Sequence, residues 1–421
     1  DANVIIYERI REELRAGKGI KLAVSDGYKN AYSAILDGNI TTFLVGLVLF
    51  FVGTGPIKGF ANTLVLGILT SLFSALFITR LIFERMLAAD KTPAFSIPPT
   101  ENILKNTAYD FIGKRKLFYT IAVCVIALGL LSVIFNGFNY GIDFTGGRSY
   151  TVRFDQPVNT VALQESLRNT LEGNVPEVKT FGSDNQVKII TDYLLEDTEA
   201  ADADSIVEAR IFEGSRSLLP AGTTQADFEA AYIINSQKVG PTIADDIKLS
   251  AVIAIILALA VMFLYILIRF KNWRFGLGSV IALVHDATIT ICMYSVLYRI
   301  VPFSLEINQH FIAAILTIIG YSINDTVVIF DRIREYSTLY SKRPLKDILN
   351  GAVNSTLSRT MNTSLTTMLV LLVMFIWGGD VIRGFVFAML FGVIIGTYSS
   401  VCIASPVVYD LMSRKARKEK K

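Results

Sequence analysis

Eight apolar runs, near residues 40–53, 60–83, 117–135, 249–268, 276–298, 311–330, 364–377 and 384–412, dominate the sequence. Each is long enough, or nearly so, to cross about 30 Å of hydrocarbon as a helix. The strands of a membrane barrel would show weak alternation over roughly ten residues instead of continuous blocks, so the runs specify a helical membrane bundle. The chain is 18% charged and 52% hydrophobic, against the about 25% charged of ordinary soluble domains, and this excludes a typical cytosolic enzyme.

The charges are unevenly placed. Residues 140–247 hold 18 Asp and Glu against 8 Lys and Arg, whereas the rest of the chain holds 19 against 32. An acidic soluble insert therefore interrupts a basic membrane frame. Basic residues collect at 9–21, 80–116, 269–274, 332–346 and in the tail from Arg414, which places those connections in the cytoplasm and the 140–247 insert on the opposite side. Within the insert, the pattern predicts strands at 149–154, 178–181, 187–191 and 232–239, with helices from Pro157 to Leu171 and from about Asp202. That order suggests an α+β sandwich of the split βαβ kind. Cys124, Cys292 and Cys402 each lie in an apolar run without metal-ligand spacing, so they read as small core or lipid-phase residues. The opening residues Asp1–Tyr7 precede the first basic cluster, unlike a signal peptide, and predict a chain that starts midway through a transmembrane helix.

The sequence also repeats itself. Val4-Ile5-Ile6-Tyr7 and Arg9-Ile10-Arg11-Glu12 recur as Val327-Val328-Ile329-Phe330 and Arg332-Ile333-Arg334-Glu335, an offset of 323. At an offset of 325, Thr41-Thr42 matches Thr366-Thr367, Ile57-Lys58-Gly59-Phe60 matches Ile382-Arg383-Gly384-Phe385, and Gly67 matches Gly392. Duplication of this kind builds transporters from two halves with a pathway at their interface. The second unit, about 117–412, has six spans with the soluble insert after its first. The first unit shows only its last three, and symmetry places three more spans and another exported domain ahead of them.

Ionisable residues inside apolar runs are expensive and are functional candidates by default. Asp325 lies in the 311–330 run, and Asp1 holds the related place in the first repeat, displaced by one position. A carboxylate taken out of water titrates closer to neutral pH, and a nearby cation opposes that shift. Arg359, expected just before the following span, is the available cation. It serves either as the switchable partner of Asp325 or as half of a static packing pair. His285 and Asp286, near the middle of the 276–298 run, offer either a second titratable pair or hydrogen bonds between neighbouring helices. Gly141, Gly146 and Gly147 around Asp143 permit a tight turn or a close backbone approach. Gly240-Pro241 reads either as a hinge or as a plain linker.

The segments Gly141-Ile142-Asp143-Phe144-Thr145-Gly146-Gly147, Val239-Gly240-Pro241, Ala282-Leu283-Val284-His285-Asp286 and Gly320–Glu335 resemble SecF, and Asp1–Glu12 resembles the fourth transmembrane helix of SecD. This order resembles a SecD end fused to SecF, within the resistance-nodulation-division superfamily. The resemblance implies about eight full transmembrane helices plus one truncated, with one exported α+β ferredoxin-like domain. It divides the chain into the last three SecD spans (1–83), a cytoplasmic linker (84–116), the first SecF span (117–139), the exported domain (140–247), five further SecF spans (248–412) and a basic tail (413–421). It implies a multi-pass protein of the bacterial inner membrane that uses the proton motive force to promote late stages of preprotein export. Protons would be the coupling ion, with no cofactor and no metal, and no catalytic residues in the enzymatic sense. The family's membrane aspartates carry over to Asp1 and Asp325 and its arginine to Arg359. Expected partners are the SecYEG translocon, unfolded preprotein and membrane lipid, with YajC and a YidC-type insertase as further candidates and no nucleic acid. The rival readings are a proton-coupled efflux transporter of the same superfamily and a passive scaffold of the translocon.

Overall fold

A computed structural model describes residues 2–95, 107–195 and 203–418. Asp1 and the 96–106 part of the expected linker lie outside the described residues, as does Asp202. The first half consists of α1 (Ala2–Arg15), α2 (Ile20–Val52), α3 (Gly55–Phe73) and α4 (Thr79–Ala88), with one π-helical turn, Ser74–Ile78, joining the last two. After α5 (Arg115–Asn136) comes a soluble unit of α6 (Ile142–Thr145), β1 (Gly147–Arg153), α7 (Thr160–Thr170), β2 (Glu177–Phe181), β3 (Ser183–Thr191), α8 (Ala203–Gly214), α9 (Gln225–Ala231) and β4 (Ile233–Val239). The chain then returns through α10 (Pro241–Phe270), α11 (Trp273–Leu297), α12 (Gln309–Leu339), α13 (Leu345–Trp377), α14 (Asp380–Ser399) and α15 (Ser405–Lys418), with a second π-helical turn at Ser400–Ala404. Eight helices among the described residues are long and apolar enough to cross a membrane.

Several helices run well beyond their apolar cores. The 40–53 run is only the end of α2, which starts at Ile20, and the 364–377 run is the end of α13, which starts at Leu345. Backbone hydrogen bonding does not stop where lipid stops. Ala23, Val24, Gly27, Tyr28, Ala31 and Ile35 form a buried stripe at helical spacing, and several of them join Ile5, Ile6 and Ile10 of α1 in one apolar cluster. In the same way α12 continues past residue 330 to Leu339, burying Ile333.

The repeat is structural as well as sequential. At the offset that relates Thr41-Thr42 to Thr366-Thr367, α2 coincides end to end with α13, both 33 residues long. The two π-helical turns fall at nearly corresponding places. The pairing is reciprocal: α1 packs on α2 and α13, and α12 packs on α13 and α2. Gly38 makes one of these approaches close, since a Cβ there would collide with the side-chain amide of Asn324. Of the candidate spans, α12 is the most enclosed; it touches α2, α3, α10, α11, α13 and α14.

The soluble unit is an antiparallel four-stranded sheet in the order β2-β3-β1-β4. With α7 and α8 packed together beside the sheet, this is the ferredoxin-like βαββαβ arrangement expected from the sequence. Tyr150, Val152, Val187, Ile189, Leu163, Leu167, Val207 and Ile211 form its core. The first helix starts at Thr160, not Pro157, because the Asn159 side chain caps it. The short α9, unforeseen in the sequence, rests on a Thr224/Asp227 capping box. Pro241 opens α10 directly after β4. Residues 241–247, grouped with the insert on composition, are therefore the first turns of a span.

Candidate functional site

Asp325 sits near the middle of α12 and is 5% exposed. The site is formed with α13, which presents Arg359 and Thr363 toward it. Arg359 stands just before the 364–377 run, but on the same helix and not in a loop, since α13 starts several turns earlier at Leu345. Asp325 and Arg359 interact without forming a close ion pair. The shielded Asp325 Oδ2 and Arg359 Nε both lack a hydrogen-bond partner. Most buried polar groups are paired, so two such atoms on interacting residues mark a place where charge is left available.

Arg359 also lies within electrostatic range of Arg9, Arg332 and Glu12. These belong to the repeated Arg-Ile-Arg-Glu segments, which meet where α1 and α12 approach. Glu12 accepts from Arg332 across the interface at 3.2 Å, while Arg9–Glu12 and Arg332–Glu335 are internal pairs. A cavity of about 40 Å³ opens here, bounded by Glu8, Glu12, Asp37, Asp331, Arg332 and Arg359. Arg359 thus stands between the Asp325 carboxylate and a charged seam joining the two halves.

His285 and Asp286 occupy a different environment on α11. Asp286 is fully buried and its oxygens are all engaged: Oδ1 lies 2.9 Å from His285 Nδ1, and Oδ2 accepts from Ser322 Oγ at 2.6 Å and Ser399 Oγ at 2.7 Å. The carboxylate ties α11, α12 and α14 together. Ser322 is one turn before Asp325 on α12, so the two aspartates share a helix but not a partner.

The glycine motif does two things. Gly146 and Gly147 have φ of +75° and +131°, conformations that L side chains resist. Gly141 permits close approach, since a Cβ would come within 3.2 Å of Asn308. Asp143 accepts from the backbone N–H of Gln309 at 3.0 Å and from its amide nitrogen at 3.2 Å, and so caps the start of α12. Gly240 has an ordinary extended φ of −70° and open space around it, so no glycine is required there. Asp1 lies outside the described residues.

Sequence reasoning missed a half-buried ion pair between spans. Arg269 of α10 donates to Asp37 of α2 through Nε at 3.0 Å and Nη2 at 2.7 Å, with Tyr265 donating to Asp37 as well. Asp37 falls just outside the 40–53 run and Arg269 just beyond 249–268, where charges at span ends are commonplace. Only the pairing itself distinguishes them.

Comparison with known proteins agrees with this architecture. The family model described as protein export membrane protein SecD/SecF, C-terminal, matches residues 1–89 and 221–414, and that of the SecD/SecF GG motif matches residues 131–158. A protein translocase subunit SecF from Rhodothermus marinus is 44% identical over 76% of the chain and 98% of its own length. A SecDF from Thermus thermophilus is 36% identical over the whole chain but only 53% of its own length. The crystal structure of SecDF from that organism, a translocon-associated membrane protein, superposes with a TM-score of 0.80 at 33% identity, covering 98% of this chain and 53% of that one. The chain thus spans about half the length of its SecDF relatives. With its duplicated spans, ferredoxin-like insert and glycine motif matched over most of its length, the chain belongs to the SecD/SecF family of multi-pass membrane proteins.

Proposed function

We propose that this chain is the proton-coupled membrane part of an accessory factor of the Sec translocon, promoting late stages of preprotein export across the inner membrane. The observation that carries the reading is the Asp325–Arg359 site, a buried carboxylate and a guanidinium, each with an unpartnered atom, beside the seam between two repeats. The names of the relatives, which are translocase subunits, favour export of protein over efflux of small molecules. SecYEG and unfolded preprotein are the partners in this reading, with YajC and a YidC-type insertase as further ones, and the α+β domain faces the exported side.

Protonation of Asp325 removes its attraction for Arg359. The guanidinium then gains relatively more from Glu12 and the rest of the charged seam, which changes how the two halves pack. Loss of the proton restores the first arrangement. A potential of 100 mV supplies about 2.3 kcal/mol per proton, whereas moving an equilibrium from 1:99 to 99:1 takes about 5.5 kcal/mol. More than one proton per stroke, or an added pH gradient, is needed for a complete switch. Asp1, His285 and Asp286 are assigned to the same proton-handling system, with Asp286 holding the helices that frame it. In the intact protein, Asp325→Asn should preserve folding and translocon binding but abolish the uncoupler-sensitive stage of export in membrane vesicles. Full uncoupler-sensitive export by that variant would refute the proposal.

A further inference from the structure

The α+β domain holds the start of α12 at three points. Asp143 caps the helix at Gln309. One residue earlier than the Asn308 cap, Ile307 forms a strand-like bridge with Tyr140, its N–H donating to Asn139 O at 2.8 Å and its carbonyl accepting from Gly141 N at 3.0 Å. From the sheet itself, Lys188 of β3 donates to Glu306 Oε2 at 2.6 Å, with the side chains only 17% and 5% exposed. Ser304 Oγ donates to the other Glu306 oxygen at 2.9 Å, and Lys179 of β2 donates to Asn139 Oδ1 at 2.9 Å.

We infer that Lys188, Glu306 and Asp143 are positioning residues that form a closed grip, through which the α+β domain moves as one body with α12. The direct chain connections of the domain run to other helices: α5 leads in through Gly137, whose φ is +70°, and β4 leads out to α10 through Gly240. The grip reaches the helix that carries Asp325, about 24 Å further along at 1.5 Å per residue. A buried ion pair contributes little net stability compared with apolar contacts, but removing one partner is costly, and such pairs can fix a single register. Lys188 lies on a strand paired on both sides, to β1 and β2, so displacement of Glu306 is passed to the whole sheet. This inference rests on the proton-driven reading for its driving force, but not for the grip itself.

The test uses the intact protein with its translocon, measuring Asp325-dependent proton uptake and export separately. Lys188→Met and Glu306→Gln should each lower export roughly three- to thirtyfold while uptake stays within about twofold. The exchanged pair Lys188→Glu/Glu306→Lys should restore export, which a general loss of folding would not allow. A disulfide between Tyr140→Cys and Ile307→Cys, bridge partners close enough for the about 4.4–6.8 Å Cα separation it needs, should leave export unchanged in a background without Cys124, Cys292 and Cys402. Undiminished export in the single variants, failure of the exchanged pair to restore it, or arrest by the disulfide would each overturn the grip. Absence of Asp325-dependent uptake in the unmodified protein would count against the proton-driven reading alone, with the grip still decided by the exchange and disulfide results.

Discussion

Asp325 and Asp286 are both buried carboxylates in membrane helices, yet their surroundings ask different things of them. Asp286 has a partner for each oxygen across three helices, so Asp286→Ala should lower the thermal stability of the detergent-solubilised protein by the equivalent of about 3 kcal/mol. Asp325→Asn should cost clearly less, because Asp325 forms no close ion pair and Arg359 keeps Glu12 within electrostatic range. Equal effects in a thermal melt would contradict the distinction. Outside the membrane, Asp204 accepts from Lys238 and from the fully buried Arg148, and these bonds hold its carboxyl below the ordinary range. A pKa depressed on folding gives stability that is present above the unfolded value, near 3.9, and is lost as pH falls through the folded one. Denaturation of Asp204→Asn should therefore show a deficit of about 1 kcal/mol at neutral pH, discounted for the exposure of Asp204. The deficit should vanish at strongly acid pH. Asp325 was legible in the sequence because ionisable residues inside apolar runs are rare, and Arg359 because it is a cation standing just before the next run. Asp37, Arg269 and Glu306 were not, since each stands at the edge of a run, where a charge is unremarkable until its partner is seen.

At the scale of elements, apolar runs located the spans but understated the helices. Lipid-facing composition marks the part of α2 or α13 inside the membrane, whereas a periodic stripe of buried residues carries each helix onward, and that stripe is diluted by exposed charge. The glycine motif shows a related limit. Its spacing suggested a turn or a close approach, and both occur, but the cap that Asp143 supplies to α12 joins segments separated in the chain by the whole α+β domain and two membrane helices. Backbone geometry separates Gly146 and Gly147 from Gly240. Gly147→Ala should destabilise the α+β domain by at least about 1 kcal/mol through its positive φ. Gly240→Ala, in ordinary extended backbone with free space, should be neutral or stabilising by about 0.4–1 kcal/mol. Limited proteolysis of the two variants reads the difference, and equal susceptibility would contradict it.

For the whole molecule, the duplicated sequence becomes a reciprocal packing in which α1 and α12 exchange the same pair of neighbours. The Arg-Ile-Arg-Glu segments could be recognised as a repeat from sequence, but not as surfaces that meet each other, because repetition gives equivalence and not the symmetry axis. Their meeting places Arg359 between Asp325 and the inter-half seam. In the proposed mechanism this arrangement couples protonation of Asp325 to the packing between halves, and the capped start of α12 is the proposed route from that change to the α+β domain. The most direct test is proton uptake by the intact protein in proteoliposomes under an imposed potential, comparing the unmodified protein with Asp325→Asn. Uptake in the first and its loss in the second, with folding preserved in both, is the predicted result. Equal uptake by the two would contradict the assignment of Asp325 as the proton-carrying group.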